Sequence, residues 1–135
     1  MTLTTSLYAA VLASFYIILS INVVRGRRRH SVALGDNNID DMKPRIRAHG
    51  NFAEYTPLFI LLLAMAEYQG LASRAVHALG IIFFLGRLSH AYGLLVSEPR
   101  HKWFPPRVAA MAATFACLAT LVVILLFQGI LQPHK

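Results

Sequence analysis

The chain has 135 residues, one domain's worth, of which 56% are hydrophobic and 14% charged. Soluble domains average about 25% charged residues, so an ordinary soluble fold is excluded, and a mean hydropathy of +0.54 points to an integral membrane protein. The formal charge of +7 does not argue for nucleic acid, because the basic residues cluster between apolar blocks, where the positive-inside rule accounts for many of them; the lone Cys117 excludes an internal disulfide and a cysteine-based zinc site.

The first block carries no formal side-chain charge up to Val24, and no basic residue precedes Arg25. A cleaved leader would need such a residue, so the block reads as a retained anchor. A span needs about 20 helical residues, and a first helix over about 3–25 meets that before the run Arg25, Arg27, Arg28, Arg29. That run is a topology signal that also touches anionic lipid. Asn22 reads as a helix–helix hydrogen bond. A polar connection follows, with turn residues GDNN.

The second helix is predicted over about 45–69, borrowing length from its polar side. Pro44 suits a helix start, Pro57 falls inside, and Gly70 is a stop. The third helix covers about 73–95 and contains Arg87 and His90; the fourth covers about 106–131 after Pro105 and Pro106. The whole of 1–135 is therefore one all-α domain of four transmembrane helices. Lys and Arg are rich in the first and third connections, while the second holds only Arg74. Positive-inside then places both termini on the non-cytoplasmic side. Trp103 and Phe104 form an interfacial belt, Tyr8, Phe15 and Phe127 face lipid or pack, and Cys117 is a small packing residue.

A charge at bilayer depth costs several kcal/mol unless paired or hydrated. Arg47, Asn51 and Glu54 fall at i, i+4 and i+7, one helical stripe that must face protein or a wet cavity. Arg87 and His90 form a second stripe at i and i+3, Asn22, Arg25 and Arg29 a third, and Arg107 opens the last helix. A Glu54–Arg87 ion pair that fixes helix packing would account for part of this set. It leaves an excess of guanidinium over carboxylate. Such an excess is favourable when an anionic ligand fills the site, with Glu54 left for an ammonium group. His77 and His101 lack partners at ligand spacing, so no metal is expected.

The stretch RIRAHGNFAEYTPLF, residues 45–59, resembles the signature of the MAPEG family, membrane-associated proteins in eicosanoid and glutathione metabolism. Its elements are Arg47, Asn51, Glu54, Tyr55 and Pro57. GRLSHAYG, residues 86–93, resembles the family's third-helix pattern, and the HGN within the first motif is similar to the small bacterial branch. The resemblance implies a homotrimer of four-helix subunits in a bacterial inner membrane, with glutathione as co-substrate in a cleft between neighbouring subunits near the cytoplasmic side. Carried over by position, Arg25 and Arg47 hold glutathione carboxylates, and Asn51, Glu54 and Tyr55 bind its backbone and amine. His49, Arg87 and His90 lie at the same site. Arg107 matches the arginine that stabilises the thiolate, with Arg100 as a rival. Catalytic eukaryotic relatives place a tyrosine seven residues after the third-helix arginine; here that position is Leu94.

The resemblance thus implies a glutathione-dependent transferase or peroxidase acting on lipophilic small molecules, a thiolate attacking an electrophile or a lipid hydroperoxide. The competing reading is a non-catalytic trimeric scaffold that binds a lipid or partner protein. A small transporter relaying protons through Glu54 is disfavoured, since inverted repeats and broken helices are absent from the sequence pattern.

Overall fold

In the computed structural model, residues 4–101 and 104–131 are described. Trp103 lies outside them, as do the side chains of Arg100 and His101. Four long helices carry the fold: α1 (Thr5–His30), α2 (Met42–Tyr68), α3 (Ser73–Tyr92) and, past a π-helical turn (Gly93–Ser97) and the short α4 (Glu98–His101), α5 (Pro105–Leu131). Every regular element among the described residues is helical. α3 packs most extensively against α5, and α1 against α2.

Helices Thr5–His30, Ser73–Ser97 and Pro105–Ile130 are each long and apolar enough to cross a membrane. α2 does not reach that hydropathy, because its first half carries Lys43, Arg45, Arg47, His49, Asn51 and Glu54. It is held in the bundle by its second half. Phe59 stacks on Phe83 of α3 at 3.8 Å, and Leu63 and Ala66 are fully buried. Phe15 of α1 meets Phe52 and Phe84 edge-on, which closes the core between three helices. The opposite faces present Ile17, Ile18, Ile21, Leu61, Leu85, Val123 and Phe127, all exposed. A chain that leaves that much large apolar surface uncovered is solvated by lipid.

The helix ends are tied by charge. α1 runs on through the arginine run to His30, past residue 25, and closes in a left-handed turn at Ser31. Arginine is a good helix former, and cations suit a helix C-terminus. At its other end, the Glu67 carboxylate of α2 accepts the Thr4 and Thr5 amides at 2.6 and 2.8 Å and the Thr5 hydroxyl at 2.7 Å. It caps, across sixty-odd residues of chain, a helix start whose amides have no partner of their own. The GDNN segment forms the turn its residues call for, with positive φ at Gly35, Asn37 and Asn38. Below it, Asp41 bonds His30 at 2.9 Å and Arg45 at 3.2 Å, and these partners hold its carboxyl below the usual carboxylate range. Arg45 also donates to the Asn22 side chain and carbonyl, so Asn22 is the interhelical bond that its position predicts.

Candidate anion-binding cleft

At the end of the bundle that carries the arginine run, α2, α3, the π-helical turn and α5 leave a cleft of about 300 Å³. Arg47, Asn51, Tyr55, His90, Leu94, Arg107 and Met111 line it. Each arrives for a local reason. Arg47, Asn51 and Tyr55 are successive i+4 positions on one face of α2. His90 lies in the last turn of α3, and its carbonyl accepts the Gly93 amide as the helix loosens into the π turn. That turn carries Leu94 into the cleft wall, where it is buried. Inserted π turns of this kind recur at functional sites, since they redirect side chains without ending a helix. Gly93 lets the turn lie against the start of α5; a Cβ there would come within 3.2 Å of the Arg107 backbone nitrogen.

Behind the cleft sits Arg87, 1% exposed. Its Nη1 donates to Asn51 Oδ1 at 2.8 Å, its Nη2 to Thr114 Oγ1, and its Nη2 also reaches the Met111 sulfur at 3.9 Å. The guanidinium lies near the faces of Phe83 and Tyr55, 5.4 and 5.8 Å from the ring centroids. Its Nε has no hydrogen-bond partner among the described residues. No carboxylate among them pairs with it either. A buried cation satisfied only by neutral dipoles raises the potential of the cleft beside it.

Each of the two guanidiniums of the lining meets one carboxylate. Arg107 Nη1 meets Glu98 Oε2 at 3.0 Å, while the other oxygen of Glu98 is buried without a partner. Arg107 also lies 5.7 Å from the Phe104 ring centroid. Arg47 meets Glu54 at 3.6 Å with both side chains more than half exposed, a pair worth little in itself.

Arg47, Asn51, Tyr55, His90 and Arg107 are therefore brought together, with Arg87 directly behind them. Three positions lie elsewhere in the single subunit. Glu54 is exposed and turned with Arg47 toward a neighbouring surface groove that also holds Gly35, Asp36 and Lys43. It does not pair with Arg87. Arg25 is exposed on α1. His49 is on the opposite side of α2, stacked on Tyr16 with ring centroids 4.8 Å apart and bonded to Ser20 at 3.1 Å. Glu98, Thr114 and Met111 enter the site without having been singled out in the sequence. A wider groove between α1 and α2, about 460 Å³, is lined by apolar residues and Thr56 and carries no charged group.

These features define a helical integral membrane protein with a cationic cleft at one end of its bundle. The chain belongs to the MAPEG family, whose model matches residues 5–127. It is 36% identical over 118 residues to inner membrane protein YecN of Escherichia coli strain K12 and to the protein of the same name in Escherichia coli O6:H1, covering 87% of this chain and 86% of each of them.

Proposed function

We propose that the cleft binds glutathione and that the protein is a membrane-bound glutathione-dependent transferase or peroxidase for lipophilic substrates. The observation that carries this reading is Arg87: a guanidinium buried with no carboxylate partner among the described residues, behind a wall that presents two more guanidiniums. Such a site stays unfavourable until an anion enters it. Glutathione has two carboxylates and an ionisable thiol, and arginine forks suit carboxylates. The MAPEG membership and the motif from Arg47 to Pro57 point to the same ligand.

In this reading Arg47 and Asn51 hold the tripeptide, with Arg87 setting the potential from behind. Arg107 sits beside the sulfur and lowers its pKa, so that the proton is released to solvent at neutral pH. The thiolate then attacks an electrophilic carbon, forming a C–S bond as the leaving group departs. With a lipid hydroperoxide it attacks the O–O bond instead. That step gives the alcohol and a sulfenic acid, which a second glutathione reduces to the disulfide and water. The protein needs no nucleophile of its own. Arg25, His49 and Glu54, which lie apart from the cleft in one subunit, reach the ligand across the subunit boundary of a homotrimer. The setting is a bacterial inner membrane, as in the name of the related YecN, with both termini on the non-cytoplasmic side.

The second reading, a non-catalytic trimeric scaffold, is favoured by Leu94 and Glu98. The cleft wall carries an aliphatic side chain where catalytic relatives have a hydroxyl, and Glu98 already occupies one edge of Arg107. Conjugation of glutathione to a chloronitroarene separates the two. Turnover above the uncatalysed rate by the purified protein supports the enzyme; glutathione bound without turnover supports the scaffold.

A further inference from the structure

None of the four arginines that end α1 has a carboxylate partner among the described residues. Arg25, Arg28 and Arg29 are all exposed. Of the carboxylates nearby, Asp36 accepts the Asn38 amide, Asp40 pairs with Lys43, Asp41 with His30 and Arg45, and Glu54 with Arg47. Arg27 stands apart, because its Nη1 donates to the Ala33 and Gly35 carbonyls at 3.2 Å each and so holds the following loop.

The three free arginines share a face. They fall at i, i+3 and i+4, and α1 stays regular through them to His30. The same face, one and two turns earlier, holds Ile18 and Ile21, 59% and 44% exposed. The buried residues of α1, namely Thr5, Tyr8, Leu12, Leu19 and Gly26, lie on the other side. A topology signal needs only positive charge in the connection. It does not need three unpaired guanidiniums on a rigid helix, in line with a lipid-facing apolar stripe.

We propose that this face seats an anionic phospholipid, its phosphate held by Arg28 and Arg29 with Arg25 at the boundary, and its acyl chains along Ile18 and Ile21. Guanidiniums recognise phosphate by paired hydrogen bonds, and the apolar stripe sits where the chains attached to that phosphate must run. Free inorganic phosphate would satisfy the arginines but leave the stripe without a role, which is why a lipid is the occupant. Arg25 sits where the seat meets the subunit boundary and is shared with the glutathione reading; Arg28 and Arg29, on which the seat rests, take no part in that reading.

The test is native mass spectrometry of the detergent-purified full chain, equilibrated with equal amounts of phosphatidylglycerol and phosphatidylcholine. Phosphatidylglycerol is expected to be retained about tenfold over phosphatidylcholine. R28Q/R29Q should bring that preference down to about parity, since each arginine near the surface contributes about 1 kcal/mol, while R28K/R29K keeps most of it. Glutathione binding should be unchanged in both variants. In the wild type, salt near 1 M, where the screening length is about 3 Å, should erase the headgroup preference, a readout that does not depend on whether a variant folds. Equal retention of the two lipids, a preference that survives high salt, or displacement of the lipid by millimolar inorganic phosphate would overturn the proposal.

Discussion

Replacing Arg107 with alanine should raise the pKa of bound glutathione thiol by about one to two units, taking the thiolate from most of the bound ligand at neutral pH to a minority of it. Affinity should change much less, because Arg47 and Asn51 remain. The guanidinium is shared with Glu98 at 3.0 Å, so its charge is partly neutralised before any ligand arrives. Glu98→Gln should therefore move the thiol the other way and increase the thiolate signal. The opposed signs are the useful feature. A substitution that merely disturbed α5 would lower both binding and thiolate. The measurement is the ultraviolet absorbance of thiolate in the liganded protein as pH is raised, for wild type and both variants. An unaltered thiol titration in Arg107→Ala would remove this arginine from the chemistry and return Arg100 to consideration.

The second large effect is expected at Arg87. In Arg87→Met the buried charge is gone, and with it a desolvation cost of several kcal/mol. Against that, Asn51 Oδ1 loses its donor, at about 1–3 kcal/mol, while Thr114 keeps its own bond to the Ala110 carbonyl at 2.8 Å. Methionine is unbranched and fills much of the vacated space. The two sides nearly cancel, so the thermal midpoint in detergent should move little or rise. Glutathione affinity should fall on the order of tenfold or more, since a guanidinium one side chain behind the cleft contributes a few kcal/mol of attraction at an effective dielectric near 20. Loss of stability with affinity intact would instead make Arg87 a packing element joining α2, α3 and α5.

How much of this was legible in the sequence depended on the kind of signal. Three apolar blocks carry their own length and hydropathy, and they form the three helices fit to span a membrane. α2 has no such signal, because its polar half dilutes it; the helix is readable there only through the spacing of Arg47, Asn51 and Tyr55. The π turn was not legible, since GLLVS reads as ordinary apolar helix and the extra residue is set by the packing of Gly93 on Arg107. Nor was the reach of α1 to His30, because a basic run reads as a membrane boundary whether or not it stays helical.

The site divides in the same way. Asn51, Arg87 and Arg107 stand out as polar residues in or beside apolar surroundings. Thr114 does not, because a threonine in an apolar block ordinarily bonds its own helix, and it does so here as well as accepting from Arg87. Glu98 and Glu67 were passed over because each lies at the edge of a connection, where carboxylates are common. Their partners, Arg107 and the amides of Thr4 and Thr5, are set by tertiary packing. His49 sits two residues from Arg47 and Asn51 in the motif, yet on a helix that spacing turns it to the other face of α2.

The central claim is that the cleft is an activated-thiol site. The most direct measurement is a glutathione titration of the detergent-purified protein that follows thiolate absorbance and heat together. Saturable heat accompanied by a thiolate signal at neutral pH is the predicted result. Absence of both would contradict it and leave the polar stripe of α2 as helix-packing structure or a seat for another anion.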